Sequence, residues 1–578
     1  MLGKMSITKK TLPIILGHQA MGIAVHVYYL QSSMTSKRIM EKIGSLLSKE
    51  EGTVYKDPGG KVTVCLVYPN TYHIGMSNLG FQGIYTLLNK SPDIVCERAF
   101  LPDQEDMSEH IRTGTEILSL ESKRPLNRFD IIAFSVSFEN DYPHILTILR
   151  MAKLPVRAKE RKESHPLVIM GGVCSFFNPE PVAEFFDLCV IGEAEEVLPE
   201  LMEAHRASKN REDLYEKAKG IEGIYLPKFY RLHYLPGGRI SKREAWGNAP
   251  VMIKRRFVKD ISRCRLRPSI ITPETEFSRM YLMEAMRGCP WNCRFCVAGS
   301  VYKPVRKKEL STLREDIEEA LSMTSRIGLI APSLTDYPHT KDVLSIEGVD
   351  FSITSLRASQ KSAELIPFLR GNRSVSIAPE AGTERLRAVI DKKITEENIL
   401  ETSRRILSEG LESLRLYFMV GLPTEDQRDI EGIVSLVKNI RRTSHKGNIV
   451  LTLSTFVPKP FTPFQWHPME RMETVKNRLK SLKKELIALK GVKVFHDVPK
   501  YAYMQGLFSR GDRRISQILE GMEDTEDWRK ACVNKGINAE FYLFRQRDLH
   551  EMLPWDFIDN YVTKEKLWTE YEKALGNV

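Results

Sequence analysis

The chain has 578 residues, enough for several domains, and its 42% hydrophobic and 28% charged residues are ordinary for a globular protein. Its nine cysteines are too few and too clustered for a secreted disulfide framework, so we expect a cytoplasmic protein. The net charge of +11 argues against an acidic surface; a basic surface can attract RNA, acidic substrates or anionic lipid, or simply keep the protein soluble.

Residues 11–30 form an apolar stretch behind a lysine-containing start, a pattern that faintly suggests a signal peptide. His18, Gln19 and His26 interrupt the stretch, and no A-x-A-like cleavage site follows it. It is too polar for a membrane span, so we expect no stable membrane insertion. Met34 opens a new amphipathic segment and is an alternative start of translation. We assign residues 1–55 to an N-terminal extension.

Short apolar segments alternate with helical patterns over residues 56–208. The predicted strands cover residues 61–68, 94–100, 130–137, 166–172 and 188–192. Strands that alternate with helices indicate an α/β fold with a parallel, doubly wound sheet, and such sheets bind ligands at the carboxyl ends of their strands. The residues at those ends are Ser135, Ser137, Gly171 and Gly172. We therefore treat these four residues as candidate ligand contacts.

Residues 209–275 are interpreted as a connector between two larger domains. Alternating apolar and polar residues flank Pro236-Gly237-Gly238, which predicts a β-hairpin at that turn. Cys264 stands alone in this segment, so we expect it to be an ordinary packed or surface thiol.

Three cysteines stand within eight residues in the segment EAMRGCPWNCRFCVAGSV, residues 284–301. Cys289, Cys293 and Cys296 have the spacing C-x3-C-x2-C, and converging thiolates suit a soft metal centre such as an iron–sulfur cluster. A fourth local cysteine is missing. A structural zinc site normally uses four protein ligands, and a disulfide would leave one cysteine over. Zinc stays open as an alternative to the cluster.

Residues 276–495 carry six predicted strand–helix units. The strands cover residues 280–285, 326–330, 350–355, 374–378, 413–420 and 449–456. Six units predict an open, partial (β/α)6 barrel rather than a closed eightfold one, and the first strand places the cysteine loop at its carboxyl end. Barrel chemistry is built at that end.

The cysteine spacing, with Phe295 just before the last cysteine, resembles the radical S-adenosylmethionine (SAM) superfamily. The segment G-L-P-T-E after the fifth strand resembles that superfamily's signature at the same place. The resemblance implies a [4Fe-4S] cluster held by three cysteines, with one iron open to chelate SAM. It also implies reductive cleavage of SAM to a 5′-deoxyadenosyl radical.

The same resemblance implies roles around SAM for residues at the strand ends. Gly421 and Pro423 would shape a tight turn that lets backbone approach the adenine. Glu380 stands where relatives place polar groups near the ribose or methionine part of SAM, although a charge favourable to a helix N-terminus explains it equally well. Arg415 is a candidate for the SAM carboxylate or for a structural ion pair. A superfamily acidic-glycine motif that holds the SAM amine is replaced by a segment containing Ser333, Thr335 and Asp336.

The first domain is similar to the cobalamin-binding domain that precedes the barrel in one large radical SAM class. The similarity rests on the predicted sheet and on its Ser and Gly-Gly positions. The motif D-x-H-x-x-G, whose histidine binds cobalt, is absent, and His73 has the wrong spacing. Two alternatives follow: cobalamin bound without a protein histidine ligand, or a sheet that serves only as a scaffold or substrate platform.

Three longer segments resemble a radical SAM family whose members carry a cobalamin-binding-like domain. They are GGVCSFFNPEPVAEFFD (171–187), APEAGTERLR (378–387) and FVPKPFTPFQW (456–466). The last segment is also similar to methylthiotransferases, but no terminal RNA-binding barrel accompanies it.

We predict a radical SAM enzyme that abstracts hydrogen from a substrate and, if cobalamin is bound, transfers a methyl group to it. The alternatives are an RNA-modifying enzyme of methylthiotransferase type without cobalamin, and a non-catalytic RNA- or protein-binding module built on a relict barrel. The substrate is open between RNA, lipid, peptide and small metabolite. An electron donor such as flavodoxin or ferredoxin is implied.

Residues 496–578 form a C-terminal extension with an amphipathic last helix predicted over 564–575. Arg510, Arg513 and Arg514 form a basic cluster that could bind phosphate or a carboxylate on a substrate. The alternative is that these arginines form ion pairs that dock the tail on the barrel. Cys532 is isolated, and we expect it to be structural.

Overall fold

The computed structural model describes residues 35–353, 355–369, 373–525 and 527–576. The apolar stretch at residues 11–30 lies outside these ranges. Within them, no helix combines the length and apolar character that crossing a membrane requires.

The first domain is built on a six-stranded sheet. Its strands are β1 Val62–Tyr68, β2 Ile94–Phe100, β3 Ile131–Ser135, β4 Leu167–Gly171, β5 Leu188–Val190 and β6 Ile224–Tyr225. Their order is β2-β1-β3-β4-β5-β6, and all neighbours are parallel except β5 and β6. The doubly wound sheet expected from the sequence is therefore present, with one antiparallel strand added at its edge.

Helices cover both faces of this sheet. They are α1 Lys37–Leu47, α2 Tyr72–Met76, α3 Leu79–Lys90, α4 Gln104–Thr113, α5 Tyr142–Met151, α6 Val173–Phe177, α7 Ala194–Arg206 and α8 Arg211–Ala218. Every residue of β1 from Thr63 to Tyr68 is buried, as a central parallel strand requires. This two-sided burial explains why its sequence, VTVCLVY, is almost continuously apolar.

The connector contains the expected hairpin, formed by β7 Tyr230–Tyr234 and β8 Ile240–Ala245. Gly238 in its turn has φ 83°, a conformation that favours glycine. A further short strand, β9 Ile253–Lys254, pairs in parallel with Ile558–Asp559 near the C-terminus. The tail therefore returns to the connector.

The second domain is an open barrel of parallel strands. Its strands are β10 Tyr281–Glu284, β11 Met286–Arg287, β12 Arg306–Lys307, β13 Arg326–Ile330, β14 Asp350–Ser352, β15 Ser355–Leu356, β16 Ser374–Glu380, β17 Ser413–Val420, β18 Asn448–Thr455 and β19 Val492–His496. Of these, β11 and β12 form a short antiparallel pair beside the cysteines. The predicted third strand is divided: β14 pairs with β13, and β15 pairs with β16. The structure also adds β19 beyond the six predicted strands.

Eight helices in this part of the chain accompany the barrel strands. They are α9 Ala298–Val301, α10 Leu310–Leu321, α11 Thr340–Leu344, α12 Gln360–Ala363, α13 Glu384–Val389, α14 Glu396–Ser408, α15 Gln427–Thr443 and α16 Met472–Leu486. Alternate residues of β17 are buried among core residues from the helices, whereas Tyr417 and Met419 on its other face are only half-buried. One face of the barrel sheet therefore packs on helices, and the other borders the open interior.

The tail wraps around the first domain and the connector. Its elements are α17 Pro499–Arg510, α18 Ile515–Thr525, α19 Trp528–Asn534, α20 Ala539–Leu543, β20 Ile558–Asp559 and α21 Lys564–Gly576. Arg513 pairs with Glu180 of the first domain at 3.0 Å, and Arg514 donates to the carbonyl oxygen of Gly238 at 2.7 Å. Arg510 donates to the carbonyl oxygen of His467 at 2.7 Å. Docking contacts are therefore present, but Arg513 and Arg514 reach the first domain and connector rather than the barrel.

Candidate functional site

The cysteine loop leaves the barrel at the carboxyl end of β10. Gly288 opens the loop with φ 82°, and a Cβ there would lie 2.5 Å from the carbonyl oxygen of Tyr302. Only glycine therefore lets the two sides of the loop approach this closely. Cys289, Cys293 and Cys296 lie on the loop between β11 and β12, and all three are half-buried free thiols.

The three thiols lie close enough to perturb one another. Burial raises the pKa of each thiol; Cys293 further raises the pKa of Cys289, Cys296 that of Cys293, and Cys289 that of Cys296. The backbone N–H of Trp291 donates to Cys289, and two N–H groups at the start of α9 donate to Cys296, which favours the thiolates. Within the described ranges, no group of three or more His, Cys, Asp or Glu side chains is arranged to hold a single metal ion.

Two cationic side chains border the thiols. Lys392 lowers the pKa of Cys293 and Cys296, and Arg357 lowers the pKa of Cys289 and Cys293, in each case against the larger opposing effect of burial. Arg357 also donates a hydrogen bond to Cys293. These cations stabilise negative charge at the sulfur atoms and on a group bound to them.

Trp291, between the first two cysteines, ties the loop to the end of β13. Its Nε1 donates to Asp336 at 2.6 Å, and Ser333 Oγ donates to the same carboxylate oxygen at 2.6 Å. The indole ring also lies 3.7 Å from the guanidinium carbon of Arg357. The negative charge of Asp336 raises the pKa of Cys289, in addition to the effect of burial. This carboxylate, in the segment predicted near the SAM amine, therefore lies beside the cysteine loop.

Of the two charged residues predicted around SAM, Glu380 lies at the cysteine site. It ends β16 with φ 68°, and its carboxylate accepts a hydrogen bond from Lys392 at 2.9 Å. Arg415 lies in the amino half of β17, exposed on its open face, away from the end that meets the cysteine loop. No ion-pair partner for Arg415 is present among the described residues, so neither predicted role for it has a visible contact.

The G-L-P-T-E segment folds onto its own glutamate. Gly421, with φ 89°, donates its N–H to both carboxylate oxygens of Glu425 at 3.0 Å, and Arg478 donates to that carboxylate at 2.9 Å. Burial raises the pKa of Glu425 to about 7 against these donors. Gly421 and Pro423 do shape a tight turn, but the N–H of Gly421 already has a partner within the segment. Adenine contacts by this turn stay a prediction.

The A-P-E-A-G-T-E-R segment locks β16 against α15. A Cβ on Gly382 would lie 2.3 Å from the carbonyl oxygen of Asp429, so the strand end and the helix touch through bare backbone. Thr383 caps α13 and also donates to Asp429. Arg385 pairs with the same aspartate. The segment therefore fixes the strand end that carries Glu380.

A buried ion network joins the first domain to the base of the cysteine loop. Glu193, which follows β5, accepts hydrogen bonds from two nitrogens of Arg306 and one of Arg287, each at 2.7 Å. Arg287 also pairs with Glu195 at 2.8 Å and with Glu284 at 2.7 Å. Arg287 and Arg306 face each other across β11 and β12. The first domain therefore holds the two short strands that bracket the loop.

Arg294, inside the loop, connects it to two further elements. Its backbone N–H donates to Ile390 at 3.0 Å, and its guanidinium donates to the carbonyl oxygen of Val389 at 2.9 Å. The guanidinium also pairs with Glu570 of α21 at 3.1 Å. The last helix of the chain therefore contacts the cysteine loop.

The four residues predicted to contact a ligand at the strand ends of the first domain differ in their surroundings. A Cβ on Gly171 would meet nothing within 4 Å, and Ser135 beside it is half-buried, so free space borders these two residues. Gly172 serves packing instead, because a Cβ there would lie 2.5 Å from the carbonyl oxygen of Val136. Ser137 accepts a long hydrogen bond, 3.4 Å, from Asn78 and also hydrogen-bonds the side chain of Tyr68. Ligand contacts by Ser135, Ser137, Gly171 and Gly172 stay a prediction.

This edge of the sheet faces the barrel and the tail. Phe176 of α6 contacts Tyr302, just beyond the cysteine loop, with ring centroids 5.8 Å apart. Glu139, after β3, pairs with Lys459 of the barrel and accepts from Gln505 of α17 at 2.9 Å. Part of the predicted ligand edge is therefore already filled by protein side chains.

Sequence reasoning missed most of the charged residues around the thiols. Arg287 and Arg294 stand in the basic spacing R-G-C-x3-C-R beside the cysteines, a signal that could have marked them. Arg357, Lys392 and Glu193 carry no local signal, since they reach the loop from distant parts of the chain.

Comparisons with known proteins identify the class. Residues 283–437 match the radical SAM superfamily, and residues 80–227 match the N-terminal domain of radical SAM proteins. The chain therefore contains a radical SAM domain behind the N-terminal domain found in such proteins, which confirms the superfamily expected from the sequence.

The curated relatives are archaeal proteins described as uncharacterized. One, MJ0966 of Methanocaldococcus jannaschii, is 29% identical over 79% of this chain and 90% of its own length. Another, MK0932 of Methanopyrus kandleri, is 24% identical over 48% of this chain and 58% of its own length.

Among solved structures, the cobalamin-dependent SAM radical enzyme OxsB, with aqua-cobalamin and SAM bound, is 14% identical over 65% of this chain and 52% of that chain, with a TM-score of 0.41. Spore photoproduct lyase is 12% identical over 38% of this chain and 76% of that chain, with a TM-score of 0.27. This chain thus spans about half of the OxsB chain.

Proposed function

We propose that this protein is a radical SAM enzyme whose Cys289, Cys293 and Cys296 hold a [4Fe-4S] cluster. In the proposed reaction, one electron from a flavodoxin- or ferredoxin-like donor breaks the sulfonium C5′–S bond of SAM. The products are methionine and a 5′-deoxyadenosyl radical, which takes a hydrogen atom from the substrate. The observation that carries the proposal is the set of three free thiols on one loop at the carboxyl end of the first barrel strand.

The residues around the loop fit such a cluster. The thiols are unpaired, donors at the start of α9 favour the thiolate form, and Lys392 and Arg357 bring positive charge. Thiolate sulfur is the ligand that iron–sulfur clusters use. A bound cluster would supply the electron for SAM cleavage.

The chain's own side chains would position SAM. Asp336 and Glu380 are carboxylates that can accept from its amino group, and Lys392 and Arg357 can donate to its carboxylate. Lys392 would then exchange its contact with Glu380 for one with the ligand. Tyr417 and Met419, half-buried on the other face of β17, would border the nucleoside part.

The test is anaerobic reconstitution with iron, sulfide, SAM and a strong reductant. We expect a four-iron absorption and electron paramagnetic resonance spectrum, together with 5′-deoxyadenosine formation. Cys293→Ala should abolish both. Cys264→Ala, which removes a thiol outside the loop, should leave both intact. Stoichiometric zinc at the three thiols without a four-iron spectrum, or full SAM cleavage by Cys293→Ala, contradicts the proposal.

We further propose cobalamin as a second cofactor, with methyl transfer as the reaction on the substrate. The support is the free space beside Gly171 and Ser135, on the edge of the first domain that contacts Tyr302. Bound cobalamin would supply the methyl group, and these residues would border it. Supplementation followed by cobalt analysis tests this proposal. Gly171→Trp should lose bound cobalt and keep SAM cleavage, and an apoprotein that takes up no cobalt rejects the assignment.

A further inference from the structure

A small cavity lies where the tail meets the connector hairpin. It has a volume of about 10 Å³, and the hairpin turn, α17, α20 and the segment after α20 line it. Three arginines line it: Arg239, which is exposed, and Arg510 and Arg547, which are 0% and 3% exposed. A cavity of this size holds one water-sized occupant.

Neither of these two buried guanidiniums, Arg510 and Arg547, has a carboxylate partner among the residues that the structure describes. Arg510 donates to the carbonyl oxygen of His467 at 2.7 Å, and Arg547 donates to the carbonyl oxygen of Arg510 at 2.7 Å. Within the described part of the chain, Nε of Arg510 and both Nε and Nη1 of Arg547 have no hydrogen-bond partner. Burial lowers the pKa of Arg547 to about 10 and also lowers the pKa of Arg510. The positive charge of Arg547 lowers the pKa of Arg510 further.

The two carboxylates beside the cavity are committed to other residues. Asp512 accepts from Arg514 at 2.6 Å and from the Tyr542 hydroxyl at 3.1 Å. Glu551 accepts two hydrogen bonds from Arg545, each at 2.6 Å. The two lining carboxylates therefore pair with Arg514 and Arg545, and the buried guanidiniums of Arg510 and Arg547 are left with surplus positive charge.

We propose that this cavity binds one halide-sized anion such as chloride. Arginine stays protonated in proteins, so the buried charge cannot be removed by loss of a proton. A buried charge is costly unless an opposite charge accompanies it, and the Trp555 ring, 5.3 Å from Arg547, is neutral. Water could accept the free N–H groups but would not balance the charge. Phosphate and sulfate are too large for a space of one water. The anion would join the tail to the connector.

The first test is thermal unfolding of the full-length protein after dialysis into gluconate buffer. Chloride and bromide should raise the midpoint in a saturable way at constant ionic strength, whereas gluconate should not. By linkage, a halide concentration of about 100 times the Kd multiplies the folded-to-unfolded ratio about a hundredfold. A midpoint that follows only ionic strength contradicts the proposal.

The variant Arg547→Gln should lose the saturable halide response. Arg404→Gln, which removes an arginine from an exposed ion pair on α14, should keep the wild-type response. A halide response unchanged in Arg547→Gln contradicts the assignment.

A second measurement stands even if that variant does not fold. Crystals of the wild-type protein grown in bromide should give an anomalous scattering peak within contact of the Arg547 and Arg510 nitrogens. Water alone at that position overturns the proposal.

Discussion

Glu193 of the first domain pairs with both Arg287 and Arg306 at the base of the cysteine loop, so we expect Glu193→Gln to loosen the loop. Glutamine keeps the size of the side chain but removes its charge, and Arg306 would retain only carbonyl acceptors. Arg287 would keep Glu195 and Glu284. Breaking a buried pair by removing one partner costs about 3–5 kcal/mol, and these side chains are 7% exposed or less.

The assay is hydrogen exchange of the backbone amides in β11 and β12. If these strands exchange through local opening, a loss of about 3 kcal/mol raises the exchange rate about a hundredfold, since every 1.4 kcal/mol is a factor of ten. Reconstituted Glu193→Gln should also bind less iron, because the strands that bracket the thiols would be less ordered. Its fold should otherwise stay intact, with unchanged exchange in the β17 and β18 amides.

Glu401→Gln is the matched control, because Glu401 forms only exposed ion pairs with Arg404 and Arg405 on α14. Exposed pairs contribute little, so exchange at β11 and β12 should not change. If the exchange rate of the β11 and β12 amides rises less than tenfold in Glu193→Gln, the buried network does not hold the loop.

Two further predictions concern the fold around the site. Burial opposes ionisation of Glu180, but the charges of Arg513 and Arg243 lower the pKa of Glu180 to about 2. The ionised Glu180 therefore stabilises the fold by about 3 kcal/mol above pH ~4.5, and this stabilisation is lost as the pH falls to about 2. Acid titration by circular dichroism should show a smaller loss over that range in Glu180→Gln, and an identical profile would contradict the assignment. Gly382→Ala should lower the free energy of unfolding by about 3 kcal/mol, because its Cβ would lie 2.3 Å from the carbonyl oxygen of Asp429. In urea unfolding, Gly237→Ala, with nothing within 4 Å, should be neutral, and equal effects of the two substitutions would contradict the packing argument.

The elements predicted best are those whose burial follows a regular pattern, either continuous or alternating. Strand β2, Ile94–Phe100, and strand β17, Ser413–Val420, match their predicted limits because apolar runs and alternation follow directly from the surfaces that they cover. The third barrel strand was less predictable. Its sequence looks continuous, but its two halves pair with different neighbours, and pairing across a sheet leaves no trace in a local pattern.

The residues of the candidate site also fall into two groups: those that a local sequence pattern predicts and those that only the tertiary fold brings there. The cysteines are recognisable because chemistry imposes their types and a local loop imposes their spacing. Their charged neighbours come from elsewhere: Lys392 lies almost a hundred residues beyond the loop and Glu193 a similar distance before it. A lysine or glutamate that becomes functional only through tertiary contact has no sequence signal of its own.

The first domain, the barrel and the last helix meet at the cysteine loop. Glu193 brings the first domain to it through Arg287 and Arg306, and Glu570 brings the last helix to it through Arg294. A loop of three half-buried thiols needs this support, because burial alone raises the pKa of each thiol and so disfavours the thiolate that binds metal. Lys392 and Arg357, both from the barrel, offset part of that effect. The first domain and the last helix therefore support the geometry of the loop, while the barrel supplies the cations that favour the thiolates.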